Sequence, residues 1–446
     1  MASCHPSVVA ARRPLRHRSS CQHDRVEGSL GLDGLLTWHQ ARQVAVTAAA
    51  PLPAKTARLD EAHGSLLAAP LVTLQDDPAE DIAAVDGYAL CGEGPWRVID
   101  LVPNVALPSH FATPVIRGEP TPPHSDCVIS HQKCVASLNE VGDTVIVARD
   151  PLTEIPDERA RPRLGEGIVR QGDHSRTGAP VLAAGTPITP PLLALAASLG
   201  YDRLPITPPP SVGTLILGAH LLEHGLPRYG RPRDALALTI PTFLGRLGAR
   251  GNPAVRAPES ARFLIEEISD STADLIVTAG STAPEAANLL REVLRDIEAH
   301  WLIDGVLATP GAETLLVRLP DGRLLLGLSS DPVHALAGLV TLAPPLIGAL
   351  RGIPGAESAP TTTAVLAMPT PEGDAPTDEV LVPVRINRDR AGATASVLPD
   401  PFSLTAWASA DAIAVVPPGA GADGDVVPVI PTTPRPPEPE GGAGQD

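Results

Sequence analysis

The alternation of apolar and polar positions is clearest between residues 207 and 352. Short, continuous apolar runs predict three strands that are buried on both faces, at 212–218 (VGTLILG), 274–279 (DLIVTA) and 323–328 (RLLLGL). Apolar residues at i, i+3, i+4 spacing predict helices between and after them, over 234–247, 284–297 and 332–351, the last interrupted by Pro344-Pro345. This order predicts a parallel sheet covered by helices on both faces. Ligands then bind beyond the carboxyl ends of the strands, at 218–222, 280–285 and 329–333.

The pattern elsewhere predicts two β-rich regions and a few helices. Helices are predicted at 36–50, at 58–70 and at 188–200, where Gly200 ends the last one. Short apolar runs separated by proline and glycine predict small β domains over 71–150 and 379–432.

Composition and charge narrow the classes of function. The chain has 446 residues, and arginine carries almost all of its positive charge. Its net charge of −17 argues against nucleic acid as a partner. Apolar runs of 18 or more residues are interrupted by proline, glycine or charge, so no membrane span is predicted. The cysteines lack CxxC spacing and are expected to be free thiols in a reducing, cytoplasmic setting. Residues 1–33 are rich in arginine, histidine and serine without an apolar core, and are expected to be a leader outside the fold.

Six short motifs, in order, resemble the molybdopterin molybdenumtransferase family. DIAAVDGYAL is similar to that family's signature around D-G-Y-A, and GIVRQGD is similar to its V-R-x-x-G-E-D segment. The other four are ADLIVTAGSTAPE, TPGAE, GLSSDPVHALAG and SADAIAVVPPG. The resemblance covers residues 36 to 434 and rests on the order and spacing of the motifs.

The resemblance implies an elongated, four-domain α/β protein. It has a discontinuous helical domain, an inserted β domain, a doubly wound molybdopterin-binding-like α/β domain and a C-terminal β barrel. The implied boundaries are a disordered leader 1–35, helical segments 36–57 and 166–206, β domain 58–165, α/β domain 207–352, barrel 353–434 and disordered tail 435–446. The resemblance also implies a homodimer, since members of the family have their site between two chains. The family releases AMP from adenylylated molybdopterin and inserts molybdate, with a divalent metal such as Mg²⁺.

Three aspartates match carboxylate positions of the family. Asp86, Asp173 and Asp234 are the candidate catalytic residues, and Asp86 and Asp234 are also the candidate metal ligands, because hard divalent cations prefer oxygen ligands. Two alternatives stay open. Asp86 is also typical of a turn before Gly87, and Asp234 is also typical of a helix N-cap.

A second set of matched positions predicts where phosphate and pterin are held. Arginine and backbone N–H groups at helix starts are the natural donors to an anion. The candidates are Arg117, Arg170, Gly280, Ser281, Asp331 and Arg385. Arg117 stands where the family has a hydroxyl, so it either binds phosphate or blocks the site. Arg170 is equally typical of a surface arginine.

Other charged positions of the family are lost. Ala219 and His220 replace a carboxylate pair, Ala312 replaces a lysine, and Glu313 adds a negative charge that should repel phosphate. Two hypotheses follow. The chain is a molybdenumtransferase with altered ligands, or it is a non-catalytic paralogue that binds molybdopterin or a partner protein. An unrelated sugar- or nucleotide-binding protein would need a glycine-rich phosphate loop between a strand and a helix. GxxxxGKS does not occur, and GxGxxG occurs only at 419–424, inside the second predicted β region and not before a predicted helix.

Overall fold

A computed structural model describes residues 35–150, 152–218, 220–258, 260–282, 288–353, 355, 362–367, 369–370, 378–389 and 392–432. The predicted leader, apart from residue 35, and the predicted tail lie outside the described residues. Seven α-helices are found in the described ranges: α1 (Trp38–Ala48), α2 (Pro190–Ser198), α3 (Leu236–Arg246), α4 (Ala261–Asp270), α5 (Leu289–Asp296), α6 (Pro332–Leu350) and α7 (Leu404–Ser409).

The strands fall into three groups along the chain. The first group is β1 (Leu36–Thr37), β2 (Lys55–Arg58), β3 (Leu66–Leu67), β4 (Leu71–Val72), β5 (Ile82–Ala83), β6 (Gly87–Cys91), β7 (Trp96–Val98), β8 (Phe111–Val115), β9 (Cys127–Ser130), β10 (Cys134–Leu138), β11 (Thr144–Ala148), β12 (Ile168–Val169), β13 (Pro180–Leu182) and β14 (Arg203–Thr207). The second is β15 (Ser211–Leu217), β16 (Arg250–Gly251), β17 (Val255–Ala257), β18 (Leu275–Ala279), β19 (His300–Asp304), β20 (Val306–Thr309), β21 (Leu315–Arg318) and β22 (Leu324–Leu328). The third is β23 (Thr362–Leu366), β24 (Glu379–Asp389), β25 (Gly392–Val397), β26 (Ala412–Val416) and β27 (Val426–Pro431).

The predicted parallel sheet is present and is covered on both faces. Strands β15, β18 and β22 are parallel neighbours, with Leu215 opposite Thr278 and Thr278 opposite Gly327. One face packs against α1, α3 and α6, and the other against α4 and α5. The antiparallel strands β21 and β19 extend one edge, and β16 and β17 pair with β15 at the other. The fold-class prediction of a multidomain α/β protein is confirmed.

Helix α1 belongs to the core of this α/β region. Trp38 is 1% exposed, and its indole N–H donates to Thr341 Oγ1 of α6 at 3.1 Å. The guanidinium of Arg42 lies 4.6 Å from the Trp38 ring and donates to the Thr341 carbonyl. A capping box between Thr37 and Gln40 begins the helix. The first predicted helix is therefore correct, and it packs on a partner about 300 residues away in the chain.

The prediction of a helix over 58–70 is wrong. The segment contains the end of β2, turns and the short strand β3: β2 and β3 both pair with β14, with Ala57 opposite Leu204 and Leu67 opposite Ile206. Only a short 3₁₀ turn, Leu59–Glu61, has helical backbone. Helix α2 packs over this three-stranded sheet in a small separate core. The apolar positions between 57 and 72 thus face strands and α2.

The first predicted β region forms a six-stranded sheet in the order β10-β11-β7-β8-β6-β9. Strand β6 lies between β8 and β9, so the segment after Asp86 occupies an interior position of the sheet. The sulfur atoms of Cys91, Cys127 and Cys134 are free, as expected. Burial raises the pKa of the Cys127 thiol to about 12, which leaves it protonated and unreactive.

The last β region closes into a five-stranded barrel. The order β24-β25-β23-β27-β26 is completed by pairing of β26 with β24, and small aliphatic side chains fill the interior. The first residues of β24, Glu379 and Val380, also pair with β20, and β20 pairs with β1. The barrel prediction is confirmed, and main-chain hydrogen bonds join the barrel to the segment that carries α1.

Helix α6 corrects one further prediction. It runs unbroken through Pro344 and Pro345, because most of its surface is buried in the α/β core and packing outweighs the missing proline N–H donors. It is long and apolar enough to cross a membrane by length and composition, yet most of its residues are buried inside the protein. Such burial is typical of the core helix of a globular domain.

A buried carboxylate at the start of α1 gives a pH prediction. Glu379 is 6% exposed and accepts the Trp38 backbone N–H at 2.6 Å. Burial, assisted by neighbouring Asp378 and opposed by the Trp38 hydrogen bond, raises the pKa of Glu379 above 4.5. The folded protein therefore binds this proton more tightly than the unfolded chain, and the free energy of unfolding should fall as pH rises from 4.5 through the folded-state pKa.

Glu379→Gln keeps the acceptor for Trp38 and cannot ionise. We expect its free energy of unfolding, measured by urea denaturation from pH 4 to 8, to decrease less over this range than that of the unaltered chain. Glu266→Gln, an exposed substitution on α4, is the control and should follow the unaltered chain. Parallel profiles for Glu379→Gln and the unaltered chain would contradict the assignment.

Candidate functional site

Asp86 lies directly before β6, on the surface of the inserted sheet. Its carboxylate is exposed, and Oδ1 accepts the backbone N–H of Arg117 at 2.8 Å. The neighbouring chain is fixed by backbone pairing, since Gly118 donates to the Ala83 carbonyl and Ala83 donates to that of Glu119. Asp86 and Arg117 are thus brought together as predicted, through the main chain of Arg117, whose side chain is solvent-exposed.

Arg170 and Asp173 lie on a turn against the same segment. The Arg170 guanidinium contacts the Asp81 carboxylate at 2.5 Å, and Gln171 N–H donates to the same carboxylate at 2.9 Å. Asp173 accepts the Arg170 backbone N–H at 2.9 Å. Partial burial opposes ionisation of Asp81, yet these two donors hold its pKa below the ordinary value. Asp81 was not anticipated as a partner, although it begins the signature segment.

A third contact completes this group of loops. The His174 ring lies 3.7 Å from the Asp77 carboxylate, and Thr177 donates to Asp76 through both its backbone and its hydroxyl. We refer to residues 76–86, 116–121 and 170–177 together as the loop cluster. It holds Asp86, Arg117, Arg170 and Asp173, four of the nine predicted site residues.

The second region is the carboxyl edge of the parallel sheet, formed by residues 218, 220–222, 234, 280–282, 313 and 329–331; we call it the strand-end edge. Gly280 has a φ of +103°, and a Cβ there would lie 2.6 Å from the Leu217 carbonyl oxygen, so glycine is required. Its N–H donates to the Leu328 carbonyl and is not free for an anion. Ser281 follows with a φ of +53°. The rest of the predicted turn, 283–287, lies outside the described residues.

Asp331 caps helix α6. Its Oδ1 accepts the backbone N–H groups of Val333 and His334 at 2.9 and 3.1 Å. This is the position at which a helix N-terminus would otherwise attract a phosphate. The predicted cofactor-binding residue therefore occupies the anion position with its own carboxylate.

Asp234 is buried and fully engaged, with 1% of its side chain exposed. Its Oδ1 accepts N–H groups of Leu236 and Ala237, both at 2.9 Å, which caps α3 as the alternative hypothesis proposed. Its Oδ2 lies 2.9 Å from Arg256 Nη2, although the two groups are not aligned as a hydrogen bond. The contact is mainly ionic, and it neutralises the carboxylate. The partner Arg256 was not foreseen from the sequence.

The Glu313 carboxylate accepts hydrogen bonds from hydroxyl groups at two strand ends. Ser329 Oγ donates to Glu313 Oε2 at 2.9 Å, and Thr282 Oγ1 donates to the same oxygen at 3.4 Å. Arg385, the last predicted residue, is exposed on β24 of the barrel, with its guanidinium near the Ser409 carbonyl.

A single chain does not assemble these residues into a metal centre. In the described ranges no three His, Cys, Asp or Glu side chains are grouped so that they could hold a metal ion. Asp234 already has both oxygens committed, and Asp86 stands in the loop cluster. The donor set of one chain therefore does not fit a resident Mg²⁺, and the metal role of Asp86 and Asp234 remains a prediction.

Comparison with known proteins finds similarity to molybdopterin molybdenumtransferases. Residues 36–200 match the family described as MoeA N-terminal region (domain I and II). The molybdopterin molybdenumtransferase of Staphylococcus aureus is 24% identical over 337 residues, covering 71% of this chain and 77% of the relative. That of Synechococcus elongatus is 25% identical over 341 residues, covering 71% and 81%. The chain is therefore similar to MoeA proteins in its N-terminal region and to molybdopterin molybdenumtransferases over most of its length.

A solved structure extends the likeness in fold to nearly the whole chain. The molybdopterin biosynthesis MoeA protein of Pyrococcus horikoshii superposes with a TM-score of 0.70 at 19% identity, covering 89% of this chain and 98% of that one. At this identity the superposition establishes the fold. The matched N-terminal region contains the entire loop cluster, whereas the strand-end edge lies beyond it.

Proposed function

We propose that this chain acts in molybdenum cofactor biosynthesis and that its ligand is molybdopterin. The observation that carries the proposal is the loop cluster. It lies wholly within the matched MoeA region, and it keeps Asp86, Arg117, Arg170 and Asp173 on adjoining, exposed loops. Two carboxylates and two guanidinium groups are suited to a polar ligand that carries phosphate and hydrogen-bond donors.

The specific reaction we infer is molybdate insertion into adenylylated molybdopterin with release of AMP. The names of the relatives support transfer of molybdenum to molybdopterin, and the resemblance of the sequence motifs implies the adenylylated substrate. In this reaction a phosphate anhydride is cleaved, so catalysis depends on stabilising negative charge that develops at phosphate. Asp86 is exposed and oriented by the Arg117 backbone, which leaves its second oxygen available to substrate. Arg117 would supply positive charge beside it, whereas the Arg170 guanidinium is paired with Asp81 and orders the neighbouring loop.

A homodimer is part of the proposal. In one chain the loop cluster and the strand-end edge belong to separate sheets, and a second copy would bring the loop cluster of one chain to the strand-end edge of the other. Light scattering after size-exclusion chromatography should then give twice the chain mass of 46.2 kDa. A monomer at micromolar concentration would overturn this part.

A second candidate function is favoured by the strand-end edge. Arg256 neutralises Asp234, Asp331 caps α6, and Glu313 adds charge where phosphate would approach. Such an edge suits a paralogue that binds molybdopterin, or a partner protein, without turnover.

One experiment separates the two candidates. The purified full chain is tested for molybdopterin binding and for molybdate-dependent AMP release from adenylylated molybdopterin with magnesium. Asp86→Ala is compared with Asp100→Ala, an exposed aspartate of the same region. We expect pterin binding, and turnover that falls by more than about 100-fold in Asp86→Ala alone.

The other outcomes are equally informative. Pterin binding without AMP release would replace the transferase with the non-catalytic candidate. Turnover equal in Asp86→Ala and Asp100→Ala would remove Asp86 from the site. Absence of both binding and turnover would overturn the proposed function.

A further inference from the structure

Three properties distinguish Glu313: its position at the strand ends, the burial of its partners, and a charge without an ion pair among the described residues. It projects between the ends of two neighbouring parallel strands, where open α/β sheets bind ligands. Its partners Thr282 and Ser329 are buried, with 1% and 5% exposure. In the described part of the chain its carboxylate forms no ion pair, so its charge is balanced by hydroxyl groups alone.

The direction of the hydrogen bonds can be worked out. Ser329 Oγ accepts the Asp331 backbone N–H at 3.3 Å, which leaves its single proton for Glu313 at 2.9 Å. Thr282 Oγ1 donates to the same Glu313 oxygen over a longer 3.4 Å. One carboxylate oxygen thus accepts two hydroxyl donors from adjacent strand ends. A phosphate oxygen bound at this edge would use the same pair of donors.

The groups behind the hydroxyl pair are fixed as well. Arg291 Nε donates to the Thr282 carbonyl at 2.9 Å, and its guanidinium contacts Asp304 at 2.6 Å and lies 5.2 Å from the Trp301 ring. The guanidinium is therefore committed to Asp304. It positions Thr282 without neutralising Glu313.

We propose that Glu313 is an internal anion. Its carboxylate occupies the position at the strand-end edge where a phosphate would accept hydrogen bonds from Thr282 and Ser329, and it thereby excludes phosphate-bearing groups from this edge. The neighbouring anion position, the N-terminus of α6, is occupied by Asp331 in the same manner. Among the described residues of this edge, two places that could hold a phosphate oxygen are thus filled by the protein's own carboxylates. If molybdopterin is the ligand, which rests on the proposed function, its phosphate is held away from this edge.

The test measures binding of inorganic phosphate and of AMP to the full chain, in the absence of pterin, by isothermal titration calorimetry. The unaltered protein should bind both ligands only weakly, through the exposed loop cluster. Glu313→Ala and Glu313→Gln should bind phosphate at least about tenfold more tightly, because a like charge within contact distance is removed. Glu266→Ala changes net charge equally on exposed α4 and should behave as the unaltered protein.

Specific variants keep the test decisive. Adding Ser329→Ala to Glu313→Ala should abolish the gained binding, because the main hydroxyl donor is lost. If Glu313→Ala does not fold, Glu313→Gln carries the comparison, with folding checked by circular dichroism. Phosphate binding by the unaltered chain as tight as by the variants would overturn the proposal, as would folded variants that bind no better than Glu266→Ala. Neither result depends on whether molybdopterin is the ligand.

Discussion

Replacing Trp38 with alanine should lower the free energy of unfolding of the α/β region by about 3–5 kcal/mol. The indole is 1% exposed within the core shared by α1 and α6, so its removal opens a large cavity. It also removes a donor to Thr341 and uncovers the face of the ring that Arg42 contacts. Arg42 is itself buried, and burial lowers its pKa to about 10, so losing a neighbour that partly compensates its charge adds to the cost.

Urea unfolding monitored by circular dichroism measures this effect. Trp38→Phe is the matched control, since phenylalanine keeps most of the apolar volume but not the indole N–H, and it should cost about 1–2 kcal/mol. A loss below about 1 kcal/mol for Trp38→Ala would mean that α1 is not an integral part of the core.

The α/β region could be predicted because its information is local. Strands β15, β18 and β22 are buried on both faces, so the sequence of each is a short apolar run bounded by polar or glycine residues. Barrel strands such as β26 are similarly apolar. Helix α4 was not predicted, although its signal is also local: Ser260 caps the helix, and Leu264 and Ile268 face the core at i, i+4 spacing.

The segment from 58 to 70 could not be predicted in the same manner. Leucines at 59, 66 and 67 fit one side of a helix, but their neighbours in the structure are Leu204 and Ile206 on β14, more than 130 residues later. Pairing with a distant strand outweighs a weak helical pattern. The continuity of α6 through two prolines has the same origin, since burial in a core formed by distant segments stabilises it.

The site was predicted as a set of positions rather than as a set of contacts. The sequence identified Asp234 and offered both a metal role and a capping role. The ion pair that favours capping depends on Arg256, which reaches Asp234 only because β17 pairs with β15. Glu313 was expected to repel phosphate from its charge alone, but its hydroxyl partners come from two other strand ends and are visible only in the fold.

The two regions of the site differ in how their charges are used. In the loop cluster the Asp86 carboxylate and the Arg117 side chain are exposed, and nothing in the described contacts saturates the second oxygen of Asp86. At the strand-end edge Asp234, Asp331 and Glu313 are all committed to internal partners. Ligand recognition by this chain should therefore depend on the loop cluster more strongly than on the strand ends.

Gly87→Ala should destabilise the inserted sheet severely, by about 3 kcal/mol, the upper part of the range for overpacked sites. A Cβ at this position would lie 1.8 Å from the Ile129 carbonyl oxygen and 2.7 Å from its carbon. Both atoms are backbone of the adjacent strand β9, so they can move only if the pairing of β6 with β9 is broken. Gly245→Ala is the control: the space around Gly245 on α3 is open, and alanine in a helix should be neutral or stabilising by about 0.5–1 kcal/mol.

The same measurement bears on why the signature contains aspartate followed by glycine. If Asp86-Gly87 were simply a turn, Gly87 would be needed for a positive φ, but it begins strand β6 and is absent from the residues with positive φ. Its lack of a side chain instead allows β9 to approach closely, and this brings Asp86 to the surface beside Arg117. We expect Gly87→Ala to reduce pterin binding together with stability, whereas Asp86→Ala should reduce function while leaving the thermal unfolding midpoint nearly unchanged. Equal loss of stability in both variants would assign Asp86 to the architecture of the loop and not to the ligand.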